Sequence, residues 1–202
     1  MFFEQQAKTL SERREARRNS LQERCQEAAD IIAKGENSQW LVWCDLNDES
    51  GLLKKLIPDA VEIRGSDDPK DKAESLRKFT QGEIKVLITK PSIAGFGLNW
   101  QGCHNMIFVG LSDSYEMMYQ AIRRCYRFGQ SNTVNIHIVT SAAEGAVKAN
   151  IERKERQCEE MTAEMVKHTQ KILEEEIRGT VRITIPYDPQ IEMTLPEWLL
   201  AC

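Results

Sequence analysis

The sequence has no long apolar run, no C-x-x-C pair and no glycine followed by lysine. Each absence removes a class of protein. A bilayer-spanning helix takes about 20 consecutive apolar residues, and charged residues interrupt every apolar stretch well before that length. The opening residues MFFEQQAKTLSERREARR carry neither the apolar core nor the small-residue cleavage site of a secretory signal. A cytosolic chain without membrane contact is therefore expected. The six cysteines, at 25, 44, 103, 125, 158 and 202, are scattered, as small buried hydrophobes of a cytosolic chain usually are. Cys103-His104 is the one Cys/His neighbour pair, and no second pair completes a zinc site. No bound metal is expected. Without a Gly-Lys step there is also no G-x-x-x-x-G-K-[ST] loop to cradle nucleotide phosphates.

What is present is an alternation of short apolar runs and helical stretches. Residues 4–34 lack Gly and Pro and read as one helix, stopped at Gly35. Apolar runs at 39–44, 60–65, 83–90, 105–111 and 133–140 read as five strands. Between them lie helices at 48–58, at 68–82 (Asp68 as N-cap, Pro69 in the first turn, Gly82 as stop) and from Asp113 or Ser114 to about Phe128. A long charged helix from about Ala142 to Arg178 follows, then an extended or hairpin-like tail. Alternating strands and helices predict an α/β fold, a parallel sheet with helices on both faces. Ligands of such sheets sit at the carboxyl ends of the strands.

Two stretches fall there. On a helical wheel, Met118, Ala121, Ile122 and Cys125 share one stripe, and Gln120, Arg123, Arg124 and Arg127 the opposite one. A solvated face usually mixes signs, yet no carboxylate falls between Glu116 and Gln130. The stripe is either solvated or holds an anion, and planar guanidiniums suit phosphate. After the third strand, TKPSIAGFGLNWQGC (89–103) offers Thr89 and Lys90 to phosphate oxygens. Its Gly95 and Gly97 allow close backbone approach. Asp45, ending LVWCD, could pass for a metal-binding aspartate; without a phosphate loop it is expected to cap the next helix. The net charge of −4 decides little, because basic residues cluster between Lys8 and Arg24.

QAIRRCYRFGQ (120–130) resembles motif VI of superfamily-2 helicases in its Swi/Snf-type form, and AGFGLNW (94–100) resembles their motif V. LVWCDLNDESGLLKKL and VEIRGSDDPKDKAESLRKF are similar to motif IV and to the Gly-Ser segment and helix after it. The four occur in the family's order over about residues 39–140, and their wording is most similar to helicases of bacteriophages and prophages. The resemblance implies a RecA-like lobe, the second of two, with ATP and Mg²⁺ held mainly by a first lobe outside this chain. It implies that Arg127 is the arginine finger, that Arg124 also faces the phosphates, and that Gln120 is the leading glutamine. Gly95, Gly97 and Asn99 would lie at the nucleotide, and Gly65, Ser66, Thr89 and Lys90 on the nucleic-acid phosphates. One departure stands: Pro91 occupies the place of the usual motif V Ser/Thr.

The implied organisation is a helical arm over 1–38 leading from the first lobe, a RecA-like core over 39–141, and a bracing helix and tail over 142–202. The arginines of the arm either line the nucleic-acid path or are solvated. The implied function is the motor of an ATP-dependent DNA helicase or translocase in a bacterial or phage-infected cytoplasm, inactive without its first lobe. A non-catalytic nucleic-acid-binding module and an RNA track are the alternatives.

Overall fold

The computed structural model describes residues 10–35, 38–94 and 98–179. The chain divides into two compact units, Met1–Cys158 and Glu159–Cys202. In the first, β1 (Trp40–Cys44), β2 (Val61–Glu62), β3 (Val86–Thr89), β4 (Asn105–Val109) and β5 (Asn135–Val139) form one sheet in the order β2-β3-β1-β4-β5. Every pairing is parallel, with Trp40 beside Val86 on one side and Asn105 on the other. β1, β3 and β4 are buried at every position, as strands covered on both faces must be.

The alternation along β1 feeds two cores. Leu41 and Trp43 point to the face holding Phe79 of α4 (Pro69–Thr80), Trp100, and Ala121 of α6 (Tyr115–Ile122). Trp43 lies against Trp100 and Phe108, and Phe79 meets Trp100 edge-on at 5.3 Å between ring centres. Trp40, Val42 and Cys44 point to the other face, where they meet Cys25 and Ala28 of α2 (Leu21–Lys34) and Leu53 of α3 (Asn47–Leu56). The expected RecA-like layering, helices on both faces of a parallel sheet, is present.

Several boundaries differ from the sequence reading. The N-terminal helix is two, α1 (Leu10–Asn19) and α2, because Ser20 leaves helical geometry while its hydroxyl donates to the Ala16 carbonyl at 2.9 Å. Residues 4–9 of that stretch lie outside the described residues. β2 is only two residues long because the Arg64 N–H turns to the Asp67 carboxylate at 2.7 Å. Asp68 and Ser114 do cap their helices, accepting from the Lys70 and Met117 N–H groups, and Gly82 closes α4 at φ +78°. α6 stops at Ile122 rather than near Phe128. A short helix, α5 (Pro91–Ala94), follows β3, and α7 (Gly145–Gly179) continues across the boundary of the two units. The expected tail beyond 179 lies outside the described residues.

Asp45 does not cap α3. Glu49 does that work from inside the helix, accepting from the Asp45 and Leu46 N–H groups at 3.0 Å each. Asp45 instead meets Arg17 at 3.2 Å.

Candidate functional site

Two features stand out, a groove at the carboxyl edge of the sheet and the arginine turn at its amino edge. At the turn, Gln130 bonds the Gln101 and Cys103 carbonyls just before β4. The expectation that both stretches gather at the carboxyl ends is thereby corrected, because α6 runs back across the sheet after β4. The first is a groove of about 940 Å³ lined by Asn47, Lys55, Arg64, Gly65, Ser66 and Lys90 among others. Three strand ends meet there, those of β1, β2 and β3. Gly65 and Ser66 are exposed, and a side chain added at Gly65 would meet nothing within 4 Å. Lys90 is held over the groove by Asn47, its Nζ donating to Oδ1 at 2.7 Å. Arg64 is forked onto Glu62 at 2.7 and 2.8 Å; the hydrogen bond and charge of Glu62 raise its pKa further.

Thr89 is not part of this groove. It is 1% exposed, and its hydroxyl turns toward the Ile63 carbonyl between β3 and the end of β2. The β-strand pleat decides this: Thr89 points into the sheet's packing, and Lys90, one residue on, points out.

The second feature is the turn after α6. Gln120, Arg123, Arg124, Arg127 and Phe128 line a cavity of about 330 Å³. The expected helical stripe is thus replaced by a helix end and a turn, which still gather the same four polar residues. Their surroundings differ. Arg123 is spoken for by tyrosines: it donates to the Tyr119 hydroxyl at 3.0 and 2.8 Å and stacks over the Tyr119 and Tyr126 rings. Arg124 is 7% exposed; Nη1 donates to the Leu98 carbonyl at 3.3 Å, and its buried Nε has no hydrogen-bond partner. Burial, then the Arg127 charge, lower its pKa. Arg127 itself is exposed. Among the described residues no carboxylate pairs with Arg123, Arg124 or Arg127. Asn99 is exposed beside this turn's partner segment. Gly95 and Gly97 lie outside the described residues.

Sequence reasoning missed a third arrangement. Glu49 is fully buried and holds Arg17 at 3.0 Å and Arg24 at 2.9 Å. Arg24 is 2% exposed and also approaches Glu144 at 3.7 Å. Arg17 continues to the Val109 and Leu111 carbonyls at the end of β4. Of the arm's arginines, Arg17 and Arg24 are therefore neither solvated nor on a groove, while Arg18 is exposed. No local pattern could announce this, since the partners stand 25 and 32 residues apart. The cluster fits only because Gly110, at φ +80°, has no side chain: a Cβ there would lie 2.7 Å from both guanidiniums. Gly110→Ala is expected to lower stability by about 1–3 kcal/mol, read as a lower midpoint of thermal unfolding.

A family model described as the helicase conserved C-terminal domain matches residues 23–129. The chain belongs to this helicase family. The matched span of the helicase domain begins inside α2 and ends at Gly129, so it holds both the groove and the arginine turn. A stretch of 105 residues is 34% identical to the TATA-binding protein-associated factor MOT1 of Saccharomyces cerevisiae, covering 48% of this chain and 6% of that protein. The human TATA-binding protein-associated factor 172 is 30% identical over 105 residues, again 48% and 6%. The chain thus spans only a small part of these relatives. Among solved structures, the C-terminal part of the Fun30 ATPase domain superposes with a TM-score of 0.55 at 20% identity, covering 62% of this chain and 43% of that one. The C-terminal domain of the DEAD-box protein Dbp5 gives 0.56 at 14% identity, covering 65% and 77%. Both share the fold.

These relatives correct the expected phage or prophage likeness and the bacterial setting drawn from it: the curated relatives are eukaryotic. The motifs that suggested phage helicases lie within the helicase domain that these eukaryotic relatives share, and so carry little about source. Among the described residues no helix is long and apolar enough to cross a membrane.

Proposed function

We propose that this domain is the second motor lobe of an ATP-dependent DNA helicase or translocase, and that Arg127 and Arg124 receive the γ-phosphate of ATP bound against a first RecA-like lobe. The observation that carries this is Arg124, a guanidinium almost wholly buried, with an orphan Nε and a second arginine for a neighbour. Burying a cation without a counter-charge is costly, and a phosphate entering the cavity supplies the missing charge. Arg127, exposed on the turn, is read as the arginine finger. As the γ-phosphoryl group transfers, charge spreads over its equatorial oxygens, and a planar fork donates to them better than a point charge would. Gln120 lines the same cavity; with Asn99 it is read as facing the nucleotide, and Gly95 and Gly97 share that reading from sequence.

The residues present fit the phosphate end of ATP and not its metal. Among the described residues no three His, Cys, Asp or Glu side chains converge. Mg²⁺ is accordingly assigned to the first lobe, where it would neutralise charge between the β- and γ-phosphates. Residues 1–38 would lead from that lobe, and 39–141 would form the lobe core. ATP closes the lobes and hydrolysis reopens them, stepping the protein along a strand.

Lys90, Ser66 and the Gly65 backbone are proposed to carry the track, on DNA phosphates in the groove. Nucleic-acid binding by this chain should then fall log-linearly with salt, and Lys90→Ala should reduce the slope by about 1. Fluorescence anisotropy over a salt series measures both, and a flat response would remove the track. Alone, residues 1–202 should not turn over ATP; with a first lobe in trans or in cis, DNA should stimulate hydrolysis. Turnover by the lone chain, or stimulation by RNA and not DNA, would overturn the assignment.

A further inference from the structure

The arginine turn is tied down by a second segment some 25 residues earlier in the chain. The Trp100 N–H donates to the Arg124 carbonyl at 2.9 Å, and Arg124 Nη1 returns a bond to the Leu98 carbonyl at 3.3 Å. Gln101 Nε2 donates to the Phe128 carbonyl. Gln130 closes the arrangement from the far side. Its Nε2 lies 2.9 Å from the Gln101 carbonyl, 3.2 Å from that of Cys125 and 3.3 Å from that of Cys103, and its Oε1 accepts from the Asn132 N–H at 2.9 Å.

One amide thus gathers carbonyls from both sides of the junction. Only a primary amide can do this with one group, since it offers two N–H donors and an acceptor together. The step before it must be glycine. Gly129 has φ +92°, and a Cβ there would stand 3.0 Å from Gln101 Nε2. Arg127 sits inside this loop, between the two ties: its N–H donates to the Cys125 carbonyl and its carbonyl accepts from the Gln130 N–H, both at 3.1 Å. Its guanidinium is exposed and pairs with no carboxylate among the described residues. The backbone from which it springs is therefore what sets its reach.

We infer that Gln130, assisted by Gln101, is the positioning residue for Arg127. It holds the turn at the height and angle from which the guanidinium meets a transferring phosphoryl group. This rests on the reading of Arg127 as the finger. A long side chain on a loosened turn still finds the phosphate in the ground state but spends less time in the reactive geometry, so the loss falls on kcat. Displacements on the order of 1 Å cost about 10²-fold in rate.

The experiment is a double-mutant cycle in the full protein containing this lobe and a first lobe, measured by DNA-stimulated ATP hydrolysis. Gln130→Glu keeps the shape but replaces the donor with an acceptor facing three carbonyls. It should lower kcat by about 10–10²-fold while KM for ATP and the Kd for DNA move by less than about twofold, and Gln101→Ala should lower kcat several-fold. In an Arg127→Ala background neither change should lower kcat further. Full kcat in both glutamine variants, or losses that multiply with that of Arg127→Ala, would overturn the inference. If Gln130→Glu does not fold, Gln101→Ala decides by the same criteria. Arg127→Ala with undiminished activity would instead sink the finger assignment itself, an outcome distinct from the others.

Discussion

Replacing Arg127 with alanine should abolish DNA-stimulated ATP hydrolysis, lowering kcat by about 10³–10⁵-fold. At 1.36 kcal/mol per tenfold change, the loss is about 4–7 kcal/mol of transition-state stabilisation. It is large because the site supplies little else of positive charge that can move. Arg123 is engaged with Tyr119 and Tyr126, and Arg124, held in place by Leu98, meets the phosphate from a fixed position and cannot take over from Arg127. Arg127→Lys should recover only part of the rate, since an ammonium keeps the charge and loses the fork. Folding should be unaffected, because Arg127 is exposed and pairs with no carboxylate among the described residues. Single-turnover hydrolysis with DNA present, alongside thermal unfolding, separates the two quantities. Activity within about tenfold of the unmodified protein would mean that the phosphate is met by other groups.

The second large effect concerns stability. Glu49→Ala should destabilise the domain by about 3–5 kcal/mol, the usual consequence of removing one partner from a buried ion pair. Two cations lose their shared buried partner at once: Arg24, at 2% exposure, keeps only Glu144 at 3.7 Å, and Arg17, with a 13% exposed side chain, keeps Asp45 at 3.2 Å. Two backbone N–H groups at the start of α3 lose their acceptor as well. The midpoint of unfolding should fall by roughly 10 °C.

The same cluster predicts a pH dependence. Burial alone would raise the Glu49 pKa, but the Arg17 charge and hydrogen bond, the Leu46 N–H and the Arg24 charge outweigh it and hold it below the ordinary carboxylate value. A depressed folded pKa contributes stability that is fully present above the unfolded value of about 4.3. That stability is lost as pH falls through the lower folded value. Unfolding midpoints between pH 7 and pH 3 should therefore drop more steeply for the natural sequence than for Glu49→Gln.

Much of the architecture was legible because it rests on local rules. The five apolar runs became the five strands; for β1, β3 and β4 the reason is that strands buried on both faces are nearly continuously apolar. Asp68, Pro69 and Gly82 bounded α4 through capping and backbone geometry that each residue carries with it. The boundaries that moved were set from outside their own segment. α6 ends early because the following carbonyls are taken by Trp100 and Gln130, and no wheel drawn on residues 115–128 contains those partners.

By itself the sequence determined the parallel α/β class and the four polar residues of the arginine turn. These follow from periodicity and from residue chemistry, which act over a few positions. Only the tertiary structure decided how those residues differ: Arg123 held by tyrosines, Arg124 buried without a counter-charge, Arg127 exposed. It also turned Thr89 inward and brought Arg17 and Arg24 onto Glu49. The reason is one of range. Charge and burial are settled by neighbours in space, and for Arg24 on Glu49, Arg124 on Leu98 and Arg17 on Leu111 those neighbours lie 25 to 94 residues away along the chain.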